Sequence, residues 1–296
     1  EAEVSYNKSI NKDFGFNVAF NMSAIKNKMT ELDGDVSYIG LPTSVIHSLN
    51  FDQEVSRSAI GQPIGSFYAY KEDGLFQSEA EIKSYTNNKG ELLQPNAKPG
   101  DIKFVDVNGD GVIDGNDRDY IGNPLPDVTA GLTLGVNFHN FDLSLFFQGM
   151  FGNDVYDLTR YVGDFYNQSQ YNKNSRVVNA WTPTNTNTDI PRVTMDDPNN
   201  NIRPSSYYVQ DASFVRLKNM KIGYSVPQSI LSKIKFNSLY IYAQATNLFT
   251  ITGYDGIDPE VGLQSYSSDY RNLDMGVDRG IYPLSRTFTF GVNVSF

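Results

Sequence analysis

The chain has 296 residues, a formal net charge of −10, no cysteine and two histidines. Disulfides, thiol catalysis and cysteine-built zinc sites are excluded, a histidine metal cluster lacks ligands, and the acidic balance opposes a phosphate-binding nucleic-acid surface. No apolar run approaches the ~18 residues that a membrane-crossing helix needs.

Mean hydropathy is −0.39. That value looks soluble, yet strands with one apolar and one polar face average to the same thing. The opening Glu1-Ala-Glu-Val-Ser5 has neither a basic nor an apolar leader region, so the chain reads as a piece of a longer one. The first strand expected is Phe14 to Met22, with Phe14, Phe16, Val18, Phe20 and Met22 on one side of an extended backbone. Ser66 to Lys71 is a short aromatic strand. Ser78 to Tyr85 is a short helix, with Ser78 as N-cap and Glu81 three residues on.

Val128 to Phe138 and Phe141 to Met150 form the clearest pair. Val128, Ala130, Leu132, Leu134, Val136 and Phe138 share one face of the first; Phe141, Leu143, Leu145 and Phe147 share one face of the second. Only His139-Asn140 separates them, which reads as a tight hairpin. Further strands run from Phe214 to Tyr224, where alternation breaks near Lys218-Asn219 and a bulge is expected, and from Leu239 to Phe249. The last segment, Thr287 to Phe296, is the cleanest. Phe288, Phe290, Val292, Val294 and Phe296 occupy one face, and Thr287, Thr289, Gly291, Asn293 and Ser295 the other. Its length suits a tilted strand crossing a bilayer, which takes about 9–11 residues, and its closing aromatic looks like the assembly signal of bacterial outer-membrane barrels.

Between the strands lie long polar stretches, 72–127, 152–206 and 251–282. Loops of that length are uncommon inside soluble domains, whereas barrels carry them on one side. Tyr161, Phe165, Tyr166, Tyr171 and Trp181 cluster in the second stretch, either as a stacking or partner surface or as packing within it. The first stretch holds the sharpest chemical motif, Asp106-Val-Asn108-Gly-Asp110-Gly-Val112-Ile-Asp114-Gly-Asn-Asp117. Its oxygen-bearing residues follow the EF-hand spacing, with a carbonyl from Val112, so a Ca2+ ion is expected. Asp117 stands where the pattern has a bidentate Glu, and the competing reading is a set of turns whose carboxylates bond nearby amides. The glycine-containing stretches 61–65 and 131–135 lack a P-loop Lys, no G-x-S-x-G or H-E-x-x-H occurs, and no carboxylate pair stands out for catalysis.

Several segments resemble the C-terminal part of the SusC/RagA family of TonB-dependent outer-membrane transporters. They are Pro63–Tyr70 with Asp73–Phe76, Pro99–Gly111, Ile121–Pro124, Phe146–Gly149, Asp211–Asn219, Asn247–Thr252, Asp258–Val261 and the terminal Phe296. Ala69 and Ala212 stand where Gly is commoner. The resemblance implies an all-β fold: the last eight or so strands of a large antiparallel transmembrane β-barrel of roughly 22 strands, with long extracellular loops and the plug domain outside this chain. It implies residence in the outer membrane of a Gram-negative bacterium and active uptake of oligosaccharide or peptide, without enzymatic activity. It also implies as partners the remaining strands and plug, a SusD-like surface lipoprotein, and TonB–ExbB–ExbD acting through the plug. The alternative left by the residues themselves is a secreted, calcium-stabilised β-sandwich that binds or degrades glycans. The two differ in where Phe288, Val292 and Leu134 lie: facing hydrocarbon in a barrel, or buried against a second sheet in a sandwich.

Overall fold

The computed structural model describes residues 1–40, 53–166, 172–263 and 273–296. In chain order, β1 (Ala2–Asn11) and β2 (Phe14–Ala24) form a hairpin. An insertion follows, with β3 (Tyr38–Gly40), β4 (Ser56–Ala59), β5 (Ser66–Tyr70), β6 (Glu72–Leu75), α1 (Glu79–Ser84), β7 (Ile102–Phe104) and β8 (Arg118–Gly122). A second hairpin joins β9 (Val128–Phe138) to β10 (Phe141–Phe151). A second insertion carries β11 (Asp154–Asp157), α2 (Thr159–Asp164) and β12 (Val209–Asp211). Then come β13 (Phe214–Ser225), α3 (Gln228–Ile234), β14 (Ser238–Thr246), β15 (Thr250–Thr252), β16 (Val277–Asp278) and β17 (Thr287–Ser295).

The long strands make one antiparallel sheet in the order β1-β2-β9-β10-β13-β14-β17, with β15 pairing to β13 as an eighth strand. It is an up-and-down meander, so neighbours in sequence are neighbours in space. The register follows the alternation: Phe141 opposes Phe138 and Leu145 opposes Leu134 across the β9–β10 turn. His139 takes a positive φ of 52° in that turn, and its amide bonds the Asp13 carbonyl of the neighbouring turn at 2.6 Å.

The expected irregularity in β13 is there. The β10–β13 register shifts between Phe146 and Phe147, where Phe146 opposes Asn219 and Phe147 opposes Leu217, leaving Lys218 as the extra residue. On the other side of β13 the same break divides β14 from β15. Asn247, at φ 52°, donates its amide to the Lys218 carbonyl at 3.1 Å, and the path resumes beyond Phe249.

Short connections (Lys12-Asp13, His139-Asn140 and residues 226–237 with α3) lie at one end of the sheet, and all three long ones at the other. The long connections are more ordered than their polarity predicts. Phe67, Ile102 and Phe104 of the first meet Tyr156, Leu158, Trp181 and Tyr208 of the second and Val277 of the third in a single buried cluster. Small sheets tie them together: β11 pairs antiparallel with β12 and parallel with β16, and β5 bridges β4 and β8. The sheet is thus capped at one end by a packed body with its own core. α1 forms as expected, with the Ser78 hydroxyl accepting the Glu81 amide at 3.2 Å.

Candidate functional site

Among the described residues no second sheet covers the apolar face of the meander. Phe288 is 62% exposed, Phe290 81%, Val292 58% and Val294 44%. Opposite Phe288, Phe290 and Val292 stand Ala245, Ala243 and Ile241, so the apolar face continues across the strand pair. Leu134 is part-buried within that same face, opposite Leu145. Phe296 is 91% exposed at the short-turn end. Among the described residues no helix is long and apolar enough to cross a membrane. The bare face is the feature that a sandwich cannot have and a lipid-facing barrel wall requires.

The opposite face carries Asn17, Asn21, Thr133, Asn137, Asp142, Ser144, Lys221, Tyr240, Tyr242, Gln244 and Asn293, brought together by the register across six strands. Glycines are concentrated here as well: Gly135, Gly223 and Gly291 leave no room for a Cβ, because Asn17, Tyr240 and Tyr242 lie across them.

At the capped end, Arg216 of β13 is 2% exposed and joins the wall to residues 250–260. Its guanidinium donates to Asp258 at 2.5 Å, Glu260 at 2.9 Å and the Thr250 hydroxyl at 2.7 Å, and Lys218 donates to Glu260 at 2.7 Å. Burial pushes the Asp258 carboxyl up. The Glu260 and Leu284 amides and Arg216 outweigh it and hold the carboxyl below the usual range.

A second polar cluster surrounds Arg160 on α2. It donates to the Tyr207 carbonyl at 2.7 Å and to Asp255 at 2.9 Å, and it borders a cavity of about 340 Å³ together with Glu72, Asp189 and Gln210. Burial and the neighbouring Asp189 raise the Glu72 carboxyl to about 7, with Arg160 pulling the other way.

The acidic loop is built on amides. Asp106 accepts from Gly109 at 2.7 Å and Gly111 at 2.8 Å, Asn108 from Asp110 at 2.8 Å, and Asp110 from Val112 at 2.9 Å. Asp117 is fully buried and uses both oxygens, one on the amides of Val107 and Asn108, the other on Asp114 at 2.7 Å. Asp114 caps the following turn through the Asn116 amide. The turn reading therefore describes the local bonding. Among the described residues no three acidic or histidine side chains converge as a metal set. Asp117 fits the closing bidentate position poorly, because its oxygens are committed inward.

The aromatic cluster is divided. Tyr161, Phe165 and Trp181 are 6%, 7% and 7% exposed and belong to the shared core, so they pack and offer no stacking surface. Of the two readings of this cluster, these three residues follow the packing one: their apolar bulk fastens the second insertion to the first. Trp181 also donates its indole N–H to Gln77 at 2.9 Å. Tyr166 is 40% exposed, beside Lys173. Tyr171 lies outside the described residues. The sequence reading missed the Arg216–Asp258–Glu260 cluster, although the two segments holding these residues had been singled out separately.

One meander with a bare apolar face, a polar face opposite and long connections on one side defines the wall of a transmembrane β-barrel. No family model matches the chain. It is 37% identical over its whole length to TonB-dependent receptor P3 of Formosa agariphila, covering 28% of that protein, and 26% identical to TonB-dependent receptor SusC of Bacteroides thetaiotaomicron, covering 26%. Its fold matches the RagAB peptide transporter with a TM-score of 0.72 at 23% identity, over 99% of this chain and 28% of that one. Along its whole length the chain is similar to part of these TonB-dependent receptors, and its fold is that of the C-terminal part of such a barrel. It spans about a quarter of the length of the relatives it matches.

Proposed function

We propose that this chain forms part of the wall and the outer rim of an outer-membrane importer of oligosaccharides or peptides. The importer works with a SusD-like surface lipoprotein and draws energy from TonB–ExbB–ExbD through a plug carried elsewhere in the protein. The observation that carries this reading is the two-faced meander: hydrocarbon on the Phe288–Val294 side, a wet conduit on the Tyr240–Asn293 side. The match to a peptide transporter supports uptake, and the likeness to SusC and RagAB is what the lipoprotein partner rests on. The packed outer body supports a docking role for the long connections, because a rigid rim can hold a lid where loose loops cannot.

Calcium at the acidic loop belongs to the same proposal. The spacing of Asp106, Asn108, Asp110 and Asp114 supports it. The commitment of Asp117 to amides means that the ion would stiffen a loop that already stands.

The test is deletion of the full-length gene, followed by uptake of labelled oligosaccharides and peptides and by affinity capture of the tagged full-length protein. Loss of uptake for at least one class, with a lipoprotein captured, is the expected result. Unchanged uptake of both classes removes the reading.

A further inference from the structure

The apolar face of the meander is uneven near the end that carries the long connections. One row across four strands reads Met22, Ala130, Gly149 and Val215, with the two smallest residues in the middle. The row above it holds Val128 and Phe151, and the row below it Phe20, Leu132 and Phe147. The result is a groove of about 520 Å³ along β9, with Ala130 in its floor and Phe20, Met22, Phe147 and Phe151 along its sides. Phe151 folds back over Gly149, its ring 2.7 Å from where a Cβ would stand, so packing accounts for the glycine. It does not account for Ala130, which stays only part-buried between larger neighbours.

Two cations stand above the groove. The Ile25 amide bonds the Asp127 carbonyl at 3.0 Å, so the path of β2 continues beyond Ala24. Alternation along that path puts Lys26 and Lys28 on the side of Met22, while Asn27 lies on the other and accepts the Ile64 amide at 2.9 Å. Both lysines are exposed, and among the described residues neither forms an ion pair. Asp127 precedes Val128 and so belongs to the opposite face, where its carboxylate lies beside Gly152.

We propose that the groove seats one acyl chain of a phosphorylated outer-leaflet lipid of the lipid A type, with its phosphate at Lys26 and Lys28; this rests on the barrel-wall reading above. The groove opens on the face that meets hydrocarbon, at the end a barrel turns outward. An apolar dent left unfilled forfeits the dispersion contacts of its lining, and a thin flexible chain can enter where a broad protein surface would bridge it. Unmatched lysines at a membrane boundary draw an anionic head, and in a chain of net charge −10 two of them together on one side mark a place for it.

The experiment uses full-length protein, purified in detergent, stripped of lipid and exposed to hexa-acyl lipid A, phosphatidylglycerol or phosphatidylcholine. Retained lipid is measured by native mass spectrometry for wild type, Ala130→Leu, Ala130→Phe and Lys26→Gln/Lys28→Gln, on heat-modifiable barrels only. Wild type is expected to hold lipid A roughly five- to tenfold more tightly than phosphatidylcholine, and the lysine pair to lose that preference. Either Ala130 variant fills the floor and is expected to weaken lipid A retention roughly fivefold; the smaller one serves if phenylalanine hinders folding. Equal retention by wild type and the Ala130 variants would overturn the groove. Phosphatidylglycerol held as tightly as lipid A would overturn the outer-leaflet assignment. A pair of protein chains that Ala130→Phe splits would give the groove to a second copy and overturn it too. A wild-type protein with no heat-modifiable form would instead count against the barrel-wall reading.

Discussion

At Asp117 one carboxylate holds three backbone amides, those of Val107, Asn108 and Asp114, in a position closed to water. A buried amide that loses its acceptor costs about 1–3 kcal/mol, so these bonds alone shape the loop. Calcium is then tested at Asp110, whose amide contact to Val112 is exposed. Millimolar calcium is expected to raise the thermal midpoint of the full-length protein above its value in chelator, and Asp110→Ala to abolish the gain. Equal wild-type midpoints in calcium and chelator would remove the ion. Glu72 makes the second prediction at this scale. Its carboxyl is raised to about 7 in the fold from a usual 4.5, so the fold favours the protonated form. That contribution is complete below about 4.5 and is lost as pH rises through about 7. The Glu72→Gln variant, measured by thermal unfolding of the full-length protein across that window, is expected to show a flatter profile than wild type. Parallel profiles would mean that Glu72 titrates normally. The acidic loop was legible because its bonding is local. Glu72 was not, because its environment comes from Arg160 and Asp189, far along the chain.

Among the elements, the strands whose two faces differ in polarity could be read from the sequence: β2, β9, β10 and β17 all lie within a residue or two of the expected bounds. β1 escaped because Lys8 interrupts its apolar row of Val4, Tyr6 and Ile10, although the long stem of a lysine can lie along an apolar surface. The interruption in β13 was visible as broken alternation at Lys218, but its purpose was not. Lys218, the extra residue, bonds Glu260 as Arg216 does, and the two pin residues 250–260 to the wall. Removing one partner of a buried ion pair leaves the other charge stranded and costs about 3–5 kcal/mol, more than the pair itself contributes. Arg216→Met is therefore expected to expose the 253–263 stretch to protease in the folded full-length protein, and adding Asp258→Asn to recover part of the loss. If the double variant is cut as fast as the single, the pair is not coupled.

For the whole molecule, the sequence prepared for loops and the structure has a body. Phe67 of the first insertion meets Tyr156 of the second at 5.7 Å, and Tyr156 stacks on Tyr208, far along the second, at 5.4 Å; no local pattern encodes either contact. Below that body the sheet is open. Among the described residues nothing pairs with the outer edge of β1 or of β17. An unpaired strand edge in hydrocarbon leaves amides and carbonyls without partners, which a bilayer does not tolerate, so a stable barrel draws on strands beyond this chain. Assembly has to bring those strands to β17, and Phe296 stands at its end, 91% exposed. A side chain with so little burial contributes little packing, so its loss has little to remove from the finished wall. Deleting Phe296 from the full-length protein is expected to lower several-fold the amount of heat-modifiable barrel in outer-membrane fractions, while the barrels that do form melt at the wild-type temperature. A normal yield would show that the residue carries no assembly signal. A lowered yield together with a lowered melting temperature would mean that Phe296 acts by packing in the closed barrel instead.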